Sequence, residues 1–328
     1  MLTQRKTLFL SKITKKQMPE LPEVETVRRG LKKLVLNKKI KTVIVKKKNL
    51  VKQSVYSFKK ELVGRRFNEL KRVGKLLIFV LGSDGRREKQ KYLLIHLKMT
   101  GQLVYCDEKD FLAGGHANSK KERKAFLRGN RNEFCQPGKY THIIFEFTDK
   151  SKLFFNDLRQ FGFLKIVSSE ELEKVKENYG IEPGQLNFTW ANFKKALQGR
   201  KTNIKALLLN QKVIAGLGNI YVDESLFLAK IHPERSVSDL TLAEQKRLFQ
   251  AIKTIIKKAL QYKGTTFSNF VDSQGRRGGF KKLLKVYGRS GKSCRRKSCD
   301  GIIKKIRVAG RGTHFCDQCQ KKNQVSFF

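Results

Sequence analysis

The residues with the most specific chemistry are four cysteines near the end of the 328-residue chain. They are spaced C-x4-C-x16-C-x2-C and comprise Cys294, Cys299, Cys316 and Cys319. Two close pairs of soft thiolates suit tetrahedral zinc, and a shell filled by four cysteines leaves no open position for catalysis. The spacing therefore predicts a zinc ribbon that holds one structural Zn²⁺ ion.

Cations fill the segment between the two cysteine pairs, namely Lys304, Lys305, Arg307 and Arg311. On a short hairpin fixed by the metal these side chains would contact phosphates, and a solvated basic hairpin is the alternative. A second anion-binding feature is "IAGLGN", where glycines open a helix at Asn219 and leave backbone N–H groups pointing outward. By itself such a helix start indicates little, because many are purely structural.

The stretch "MPELPEVE" follows a lead of seventeen residues that holds five cations and no acid. Pro22 suits the first turn of a helix, and Glu23 and Glu25 complement the positive end of the helix dipole. Apolar residues recur on one face at helical spacing: Val24, Val27, Leu31 and Leu34. The pattern predicts an amphipathic helix that begins three residues after Pro19.

The composition points to a polyanionic partner. Lysine and arginine number 72 against 28 acidic residues, a formal net charge of +44. Nucleic acid is the leading candidate because neutralised phosphates release counterions, although a lysine-rich proteome would also raise the charge. No apolar run approaches the ~20 residues of a membrane span. The clustered cysteines suit metal better than a disulfide framework in so large and basic a chain, which implies a reducing compartment.

Periodicity predicts an α+β multidomain protein. Short β-like runs at 40–45, 76–81, 92–97, 142–147 and 152–155 predict antiparallel sheets packed as a sandwich and flanked by helices. Two helices within 190–210, with Thr202 as a cap, and further helices at 219–231 and 242–260 predict an all-α domain. The zinc ribbon completes the fold.

The predicted boundaries divide the chain into an N-terminal extension, three domains and a linker. They are 1–17 for the extension, 18–167 for the β-sandwich, 168–181 for the linker, 182–288 for the all-α domain and 289–321 for the zinc ribbon. Residues 106–139 are rich in Gly, Asn, Lys and Arg without periodicity, which predicts a long, mobile, solvated loop of unassigned role.

Six segments carry a resemblance to a known family: "PELPEVETVRRGL", "KRVGKLLIF", "HLKMTGQL", "NDLRQFG", "GLGNIYVDESLF" and "GRGTHFCDQC". They resemble the Fpg/Nei family of base-excision repair enzymes. "PELPEVE" is similar to the formamidopyrimidine-DNA glycosylase (Fpg) branch, which acts on oxidised purines, whereas Nei-type enzymes usually begin "PEGPE" and prefer oxidised pyrimidines. The resemblance implies a monomeric bifunctional glycosylase and AP lyase, which excises 8-oxoguanine and formamidopyrimidines from double-stranded DNA or acts at abasic sites.

By this resemblance Pro19 is the nucleophile that attacks C1′ of a flipped-out nucleotide, and Glu20 is the general acid. The nitrogen must be free, because in an amide its lone pair is delocalised into the carbonyl group. At a chain terminus its pKa would lie near the α-amino range of about 7.7–8.0. Glu23 is assigned a supporting role.

The resemblance also assigns DNA contacts. Lys75 and Arg311, which the resemblance counts among the catalytic residues, would clamp the damaged strand together with Asn219. Met99, Arg159 and Phe161 would fill the space left by the everted base, although Met99 and Phe161 by themselves suit core positions. His96 by itself suits a satisfied histidine beside the core, and its motif places it among the expected DNA contacts.

The all-α domain would be the family's helix-two-turn-helix element. "DSQGRRGGF" at 272–280, with Arg276 and Arg277, would be the loop that closes over the lesion. Two motifs depart from the family pattern: the first cysteine pair encloses four residues instead of two, and Leu158 and Gln160 replace the commoner Pro and Arg. Opposite-base preference is therefore left open.

The start of the chain decides whether Pro19 is free. Met18 directly precedes it, so removal of Met from a chain that starts there would free the proline. Residues 1–17 then reflect a start codon assigned too early or a cleaved targeting peptide. A retained tail would instead leave a DNA-binding protein without catalysis. We expect a cytoplasmic, nucleoid-associated protein, or organellar import if residues 1–17 are a presequence.

Overall fold

The computed structural model describes residues 18–82, 89–108, 111–115, 135–265 and 279–322. Within these ranges the largest buried apolar clusters lie inside a β-rich N-terminal domain and inside a helical domain, and a smaller one lies at a C-terminal hairpin. The predicted α+β multidomain class is confirmed.

Nine described strands build the N-terminal domain, and every pairing between them is antiparallel. They are β1 (Ile40–Val45), β2 (Phe67–Val73), β3 (Leu76–Leu81), β4 (Lys91–His96), β5 (Gly101–Cys106), β6 (Phe111–Gly115), β7 (Thr141–Phe147), β8 (Lys152–Asp157) and β9 (Phe163–Ser168). One sheet has the order β1-β7-β8-β5-β6 and the other the order β2-β3-β4-β9.

Aromatic side chains join the two sheets. The Phe67 ring of one sheet lies 6.2 Å from Phe145 and 6.0 Å from Phe147 of the other, between ring centroids. Helix α1 (Leu21–Val35) buries its apolar face in the same core, and a short helix α2 (Val55–Lys60) follows β1. A Cβ atom at Gly114 would lie 2.7 Å from Val27, so only glycine lets α1 approach β6 this closely.

Four helices form the second domain: α4 (Trp190–Leu197), α5 (Ile204–Leu209), α6 (Asn219–Ala229) and α7 (Leu242–Gln261). Thr189 and Thr241 cap α4 and α7 with side-chain oxygens. The predicted cap Thr202 is wrong, because Asn203 precedes α5 and its Oδ1 accepts the N–H of Ala206 at 2.7 Å. Since α6 is buried along almost its whole length, it forms the centre of this domain.

The segment predicted as a linker, 168–181, contains helix α3 (Ser169–Lys176). Ser168 and Glu171 cap each other's backbone N–H groups at 3.2 and 2.9 Å. Leu172 buries its side chain against the outer face of the β2-β3-β4-β9 sheet. The acidic composition that suggested a linker belongs to a capped helix, whose exposed face carries the acids.

The segment predicted as a long loop, 106–139, begins as regular structure. Strand β6 pairs with β5, and Cys106 at the end of β5 forms a disulfide with Cys135 across a Cα–Cα distance of 5.6 Å. The two cysteines are 29 residues apart and are not among the four clustered cysteines, and their disulfide disagrees with the reducing compartment that was inferred from those four. Residues 109–110 and 116–134 of the predicted loop lie outside the described residues.

A hairpin of β10 (Ile303–Val308) and β11 (Arg311–Cys316) forms the C-terminal module. It lies beside α6, because the N–H of His314 in β11 donates to the Asp223 carboxylate of α6 at 2.8 Å. Among the described residues, no helix combines the length and apolar character needed to span a membrane.

Candidate active site

Glu20 lies where the first and second domains meet. Glu20 directly precedes α1. Its carboxylate accepts the N–H groups of Ile220 at 2.9 Å and Tyr221 at 3.4 Å, in the first turn of α6. A Cβ atom at Gly218 would lie 2.3 Å from the Glu20 carboxyl carbon, so the glycine before α6 makes room for the acid. Pro19, the neighbouring residue, is also buried. The N–H groups at the start of α6 are thus bound by a carboxylate of the chain itself.

Burial raises the pKa of Glu20 to about 7, although the positive charge of Lys75 opposes the shift. Glu20 is 3% exposed, so little water stabilises the charged form of its carboxyl group. At neutral pH a substantial fraction of Glu20 therefore carries a proton. A carboxylic acid with a pKa near the working pH is suited to general acid catalysis.

Lys75 completes the charged centre. Its Nζ donates to the Leu217 carbonyl at 2.7 Å, just before α6. Burial lowers the Lys75 pKa to about 8, against the opposing effect of Glu20, and the charge of Arg311 lowers it further. Lys75 and Glu20 are therefore two neighbouring groups whose pKa values both lie near neutral pH.

The turn that carries Lys75 is held by an ion-pair network. Gly74, with φ of +53°, donates its N–H to Glu182 Oε2 at 2.6 Å. Arg72 contacts Glu182 Oε1 at 2.7 Å and Glu25 Oε2 at 3.1 Å. The network joins the β2–β3 turn, helix α1 and the segment before α4, and so positions Lys75 against α6. The sequence analysis did not identify Arg72 or Glu182 as part of the site.

Glu23 connects the N-terminus to the chain beyond α7. Its Oε1 accepts the Tyr221 hydroxyl at 2.6 Å and the Thr265 N–H at 2.7 Å, and its Oε2 accepts the Glu20 N–H at 3.0 Å. Burial raises the Glu23 pKa, while these hydrogen bonds oppose the shift. The supporting role expected for Glu23 is consistent with this geometry.

Asn219 and Arg311 lie on two facing elements. Asn219 begins α6 and donates from Nδ2 to the Gly312 carbonyl of β11 at 2.8 Å. Arg311 opens β11 with an exposed side chain. The buried Asp223 of α6 pairs with Lys205 at 2.5 Å and also holds β11 through His314. The structure therefore brings Lys75, Asn219 and Arg311 to one edge of α6, beside Glu20.

Met99, Arg159 and Phe161 form a separate cluster on the surface of the sandwich. Arg159 Nη1 lies 3.1 Å from the Met99 sulfur, and its guanidinium lies 4.6 Å from the centroid of the Phe161 ring. Phe161 is 52% exposed, so the core position that its residue type suggests is wrong. An exposed apolar and planar cluster of this kind can stack against a ligand.

Asp157, which the sequence analysis missed, positions this cluster. The fully buried carboxylate accepts the Thr100 hydroxyl and the Arg159 N–H on Oδ1, and the Gly162 N–H on Oδ2 at 2.7 Å. It thereby holds both ends of the Phe161 loop and the turn after Met99. The sequence did contain a signal for Asp157, because it is the acid of the motif "NDLRQFG", which also carries Arg159 and Phe161.

We expect Asp157→Ala to lower the free energy of unfolding by about 3 kcal/mol, because each buried donor left without a partner costs ~1–3 kcal/mol. Urea denaturation measures the change. Glu173→Ala is the control, since its ion pair with Lys176 is exposed and is worth under about 1 kcal/mol. Equal effects of the two substitutions would contradict the positioning role of Asp157.

His96 is buried and uncharged. Burial lowers its pKa to about 3, helped by the charges of Lys98 and Lys75. Its Nδ1 accepts the Lys98 N–H at 2.9 Å, which leaves Nε2 as a neutral donor. His96 is thus a buried histidine with a hydrogen-bonded ring nitrogen, as the residue by itself suggested. Arg276 and Arg277 lie outside the described residues.

The four cysteines fit a zinc ion. Their sulfur atoms all lie within 4.8 Å of one another, with 3.8 Å between Cys294 and Cys319 and 3.6 Å between Cys299 and Cys316. A tetrahedron with Zn–S bonds of ~2.3 Å requires S–S distances of ~3.8 Å. The wider first pair therefore does not disturb the site, and the cysteines hold one structural zinc.

Three family matches cover the chain and define a three-domain protein with a helix-two-turn-helix domain. The formamidopyrimidine-DNA glycosylase N-terminal domain matches residues 18–164, the formamidopyrimidine-DNA glycosylase H2TH domain matches 179–271, and the zinc finger found in FPG and IleRS matches 291–322.

Individual proteins are also similar to the chain over more than 90% of its length. The chain is 39% identical over 307 residues to the formamidopyrimidine-DNA glycosylase of Heliobacterium modesticaldum, covering 93% of this chain and 100% of the relative. It is 40% identical to that of Desulforamulus reducens, covering 93% and 99%. A Lactococcus lactis Fpg complex with abasic-site DNA matches with a TM-score of 0.77, 33% identity, and coverage of 92% and 100%. The chain belongs to the formamidopyrimidine-DNA glycosylase family.

Proposed function

We propose that the protein is a base-excision repair DNA glycosylase and AP lyase that removes oxidised purines, 8-oxoguanine and formamidopyrimidines, from duplex DNA. One observation carries the proposal: Glu20, with a pKa of about 7, lies next to Pro19, at the start of α6 and beside Lys75. This arrangement supplies a protonated acid next to a residue that becomes a secondary amine at a chain end.

In the reaction the lone pair of the Pro19 nitrogen attacks C1′ of the damaged nucleotide. The glycosidic bond breaks, and the purine leaves with the bonding electron pair and takes up a proton. Glu20 donates its proton to the ring oxygen O4′, the C1′–O4′ bond breaks, and the nitrogen loses its own proton as the Schiff base forms. Loss of a C2′ proton then expels the 3′ phosphate, and a second elimination expels the 5′ phosphate.

Binding of the damaged strand is assigned to Lys75, Asn219 and Arg311. They lie on three different segments at one edge of α6, so together they can grip the phosphates on both sides of a kink. Met99, Arg159 and Phe161 enter the space of the everted base, where stacking offsets part of the few kcal/mol that flipping costs. His96 serves as an uncharged donor near this cluster, and Arg276 and Arg277 lie in the segment assigned to closure over the lesion.

The similar proteins support this substrate class. Solved complexes that resemble the chain include Lactococcus lactis Fpg with abasic-site DNA and with Fapy-dG DNA, the latter at 33% identity and a TM-score of 0.76. The relatives are bacterial, so we assign the protein to the cytoplasm, at the nucleoid, as a monomer on duplex DNA.

Borohydride trapping tests the proposal. Protein that begins at Pro19 is mixed with duplexes that each carry one lesion, in the presence of sodium borohydride, which reduces the Schiff base to a stable amine. We expect a one-to-one covalent complex with 8-oxoguanine DNA and β,δ-elimination products without borohydride. Absence of a trapped complex on both 8-oxoguanine and abasic DNA would refute the mechanism, and preferential excision of oxidised pyrimidines would point to a Nei-like enzyme.

A catalytically inactive lesion-binding protein is the second candidate, because the Pro19 nitrogen is a nucleophile only when no residue is joined to it. The N-terminal family match begins at residue 18, one residue before Pro19. N-terminal sequencing of the native protein distinguishes the two: Pro19 first supports the enzyme, whereas Met1 first supports the binding protein.

A further inference from the structure

The wider first cysteine pair has contacts of its own. Between Cys294 and Cys299 lie four residues, of which Arg295 and Arg296 contact the helical domain. Lys297, the next residue, is exposed. The insertion therefore does more than lengthen the loop, because its two arginines reach a neighbouring domain.

Arg296 contacts the last turn of α6. Its Nη2 donates to the Phe227 carbonyl at 2.8 Å, and its guanidinium lies 4.9 Å from the centroid of the Phe227 ring. A cation at the C-terminal end of a helix complements the helix dipole. The Phe227 ring packs in one apolar cluster with Cys316, and Cys294, Cys299 and Cys319 pack against that cluster. Zinc ligands and the end of α6 thus share one packed region.

Arg295 reinforces the same connection. Its Nη1 donates to the Leu284 carbonyl at 3.0 Å, at the end of the 3-10 turn Phe280–Leu283. The segment that follows is tied to α6, because the Glu224 carboxylate accepts the N–H groups of Val286 and Tyr287 at 2.9 and 2.8 Å. We call the loop from Cys294 to Cys299 the knuckle. Both of its arginines are connected to α6, Arg296 by direct contact and Arg295 through the segment that Glu224 holds.

Helix α6 has 11 residues and spans ~16 Å, with Glu20 bound at its first turn and Arg296 at its last. We propose that Arg296 is a positioning residue that couples zinc binding to helix α6 and, through α6, to the placement of Glu20. Zinc fixes both ends of the knuckle at Cys294 and Cys299, so the guanidinium is held against Phe227. Without the metal the two ends of the knuckle are no longer fixed, and the contact of Arg296 with the last turn of α6 is lost.

Three variants test the coupling: Arg296→Ala, Arg296→Lys and the neighbouring control Lys297→Ala. Zinc affinity is measured by competition with a chelator, and hydrogen exchange of the 219–229 peptide is measured with and without zinc. We expect Arg296→Ala to weaken zinc binding about tenfold, the usual size for outer-shell partners. It should also raise α6 exchange in the zinc-loaded protein towards the level of the metal-free wild type.

Arg296→Lys keeps the cation and should restore part of the α6 protection, whereas Lys297→Ala should match the wild type in both measurements. Zinc affinity and α6 exchange unchanged in Arg296→Ala would overturn the proposal, as would equal effects of Arg296→Ala and Lys297→Ala. If Arg296→Ala does not fold, Arg296→Gln, which removes the charge and keeps a side chain of similar length, takes its place, and wild-type exchange and zinc affinity in that variant overturn the proposal equally.

The effect on Glu20 rests on the proposed function, but the exchange and affinity measurements do not. Wild-type protein that traps no damaged DNA yet loses α6 protection on zinc removal would refute the proposed reaction and support the coupling. The reverse result, normal trapping with α6 exchange that zinc does not change, would refute only the coupling.

Discussion

Protein that keeps Met18 joined to Pro19 is expected to form no borohydride-trapped complex with 8-oxoguanine DNA. The Pro19 nitrogen is then a tertiary amide, whose lone pair is delocalised and cannot add to C1′. The contacts of Lys75, Asn219 and Arg311 do not depend on that nitrogen, so the blocked protein should still bind damaged duplex. The prediction thus separates binding from chemistry at one peptide bond.

The matched control is the same preparation after a site-specific protease has removed residues 1–18. Both samples then share every residue from Pro19 onward, and trapping should appear only after cleavage. Gel-shift titration shows that both forms bind DNA. Equal trapping before and after cleavage would mean that another amine is the nucleophile, and Lys75, with a pKa of about 8, would be the first to examine.

Glu20→Gln is expected to lower the single-turnover rate of base excision by about 10²–10⁴-fold, the usual contribution of a positioned general acid. Glutamine keeps the size of the side chain and can still accept the Ile220 N–H, but it cannot donate an acidic proton. Excision of 8-oxoguanine under single-turnover conditions, with enzyme in excess, measures the chemical step without product release.

The pH dependence follows from the same group. Glu20 has a pKa of about 7 and must be protonated, so the wild-type rate should fall as the pH rises through 7. The Pro19 amine must be unprotonated, so the rate should also fall as the pH drops below the α-amino range of about 7.7–8.0. The wild-type profile is therefore a narrow bell, and Glu20→Gln should lose its alkaline limb.

Glu23→Gln is the matched control, because Glu23 is on the same helix and is also buried with a raised pKa. It should keep the alkaline limb but move it to lower pH, because the charge of Glu23 contributes to the raised pKa of Glu20, and its own carboxyl group is bound to Tyr221 and Thr265. An excision rate in Glu20→Gln close to that of the wild type, or an unchanged pH profile, would contradict the acid role.

The sequence predicted those strands whose signal is local. The runs at 40–45 and 76–81 coincide with β1 and β3, because apolar residues there are contiguous or alternate. Strand β2 was missed, since "FNELKRV" carries charges along its outer side, and Arg72 within it serves the site. Strand β9 was missed too, where "FLKIVS" has only three buried positions. Strands β2 and β9, with few buried residues, become strands through their neighbours. Strands β5 and β6 were missed as well, although β5 is buried along its whole length, and β6 lies inside the segment predicted as a loop.

The same distinction applies to the site. The spacing of the cysteines is short-range, so it sufficed to predict the zinc ligands. The adjacency of Pro19 and Glu20 is likewise local. The partners that position them are remote: Arg72 and Glu182 lie 110 residues apart, and Glu20 and Ile220 lie 200 apart. No local pattern marks such a pair, because nothing in the sequence around one member indicates the other.

What the sequence by itself determined is the set of reactive groups: a proline and a glutamate in succession, a lysine in a turn, and four thiols at metal spacing. Only the tertiary structure decided the state of those groups. The pKa of Glu20 is raised to about 7 because the two domains bury it and remove water, and the pKa of Lys75 is lowered to about 8 for the same reason. Desolvation is a property of the packed surroundings, and no residue carries it in its own identity.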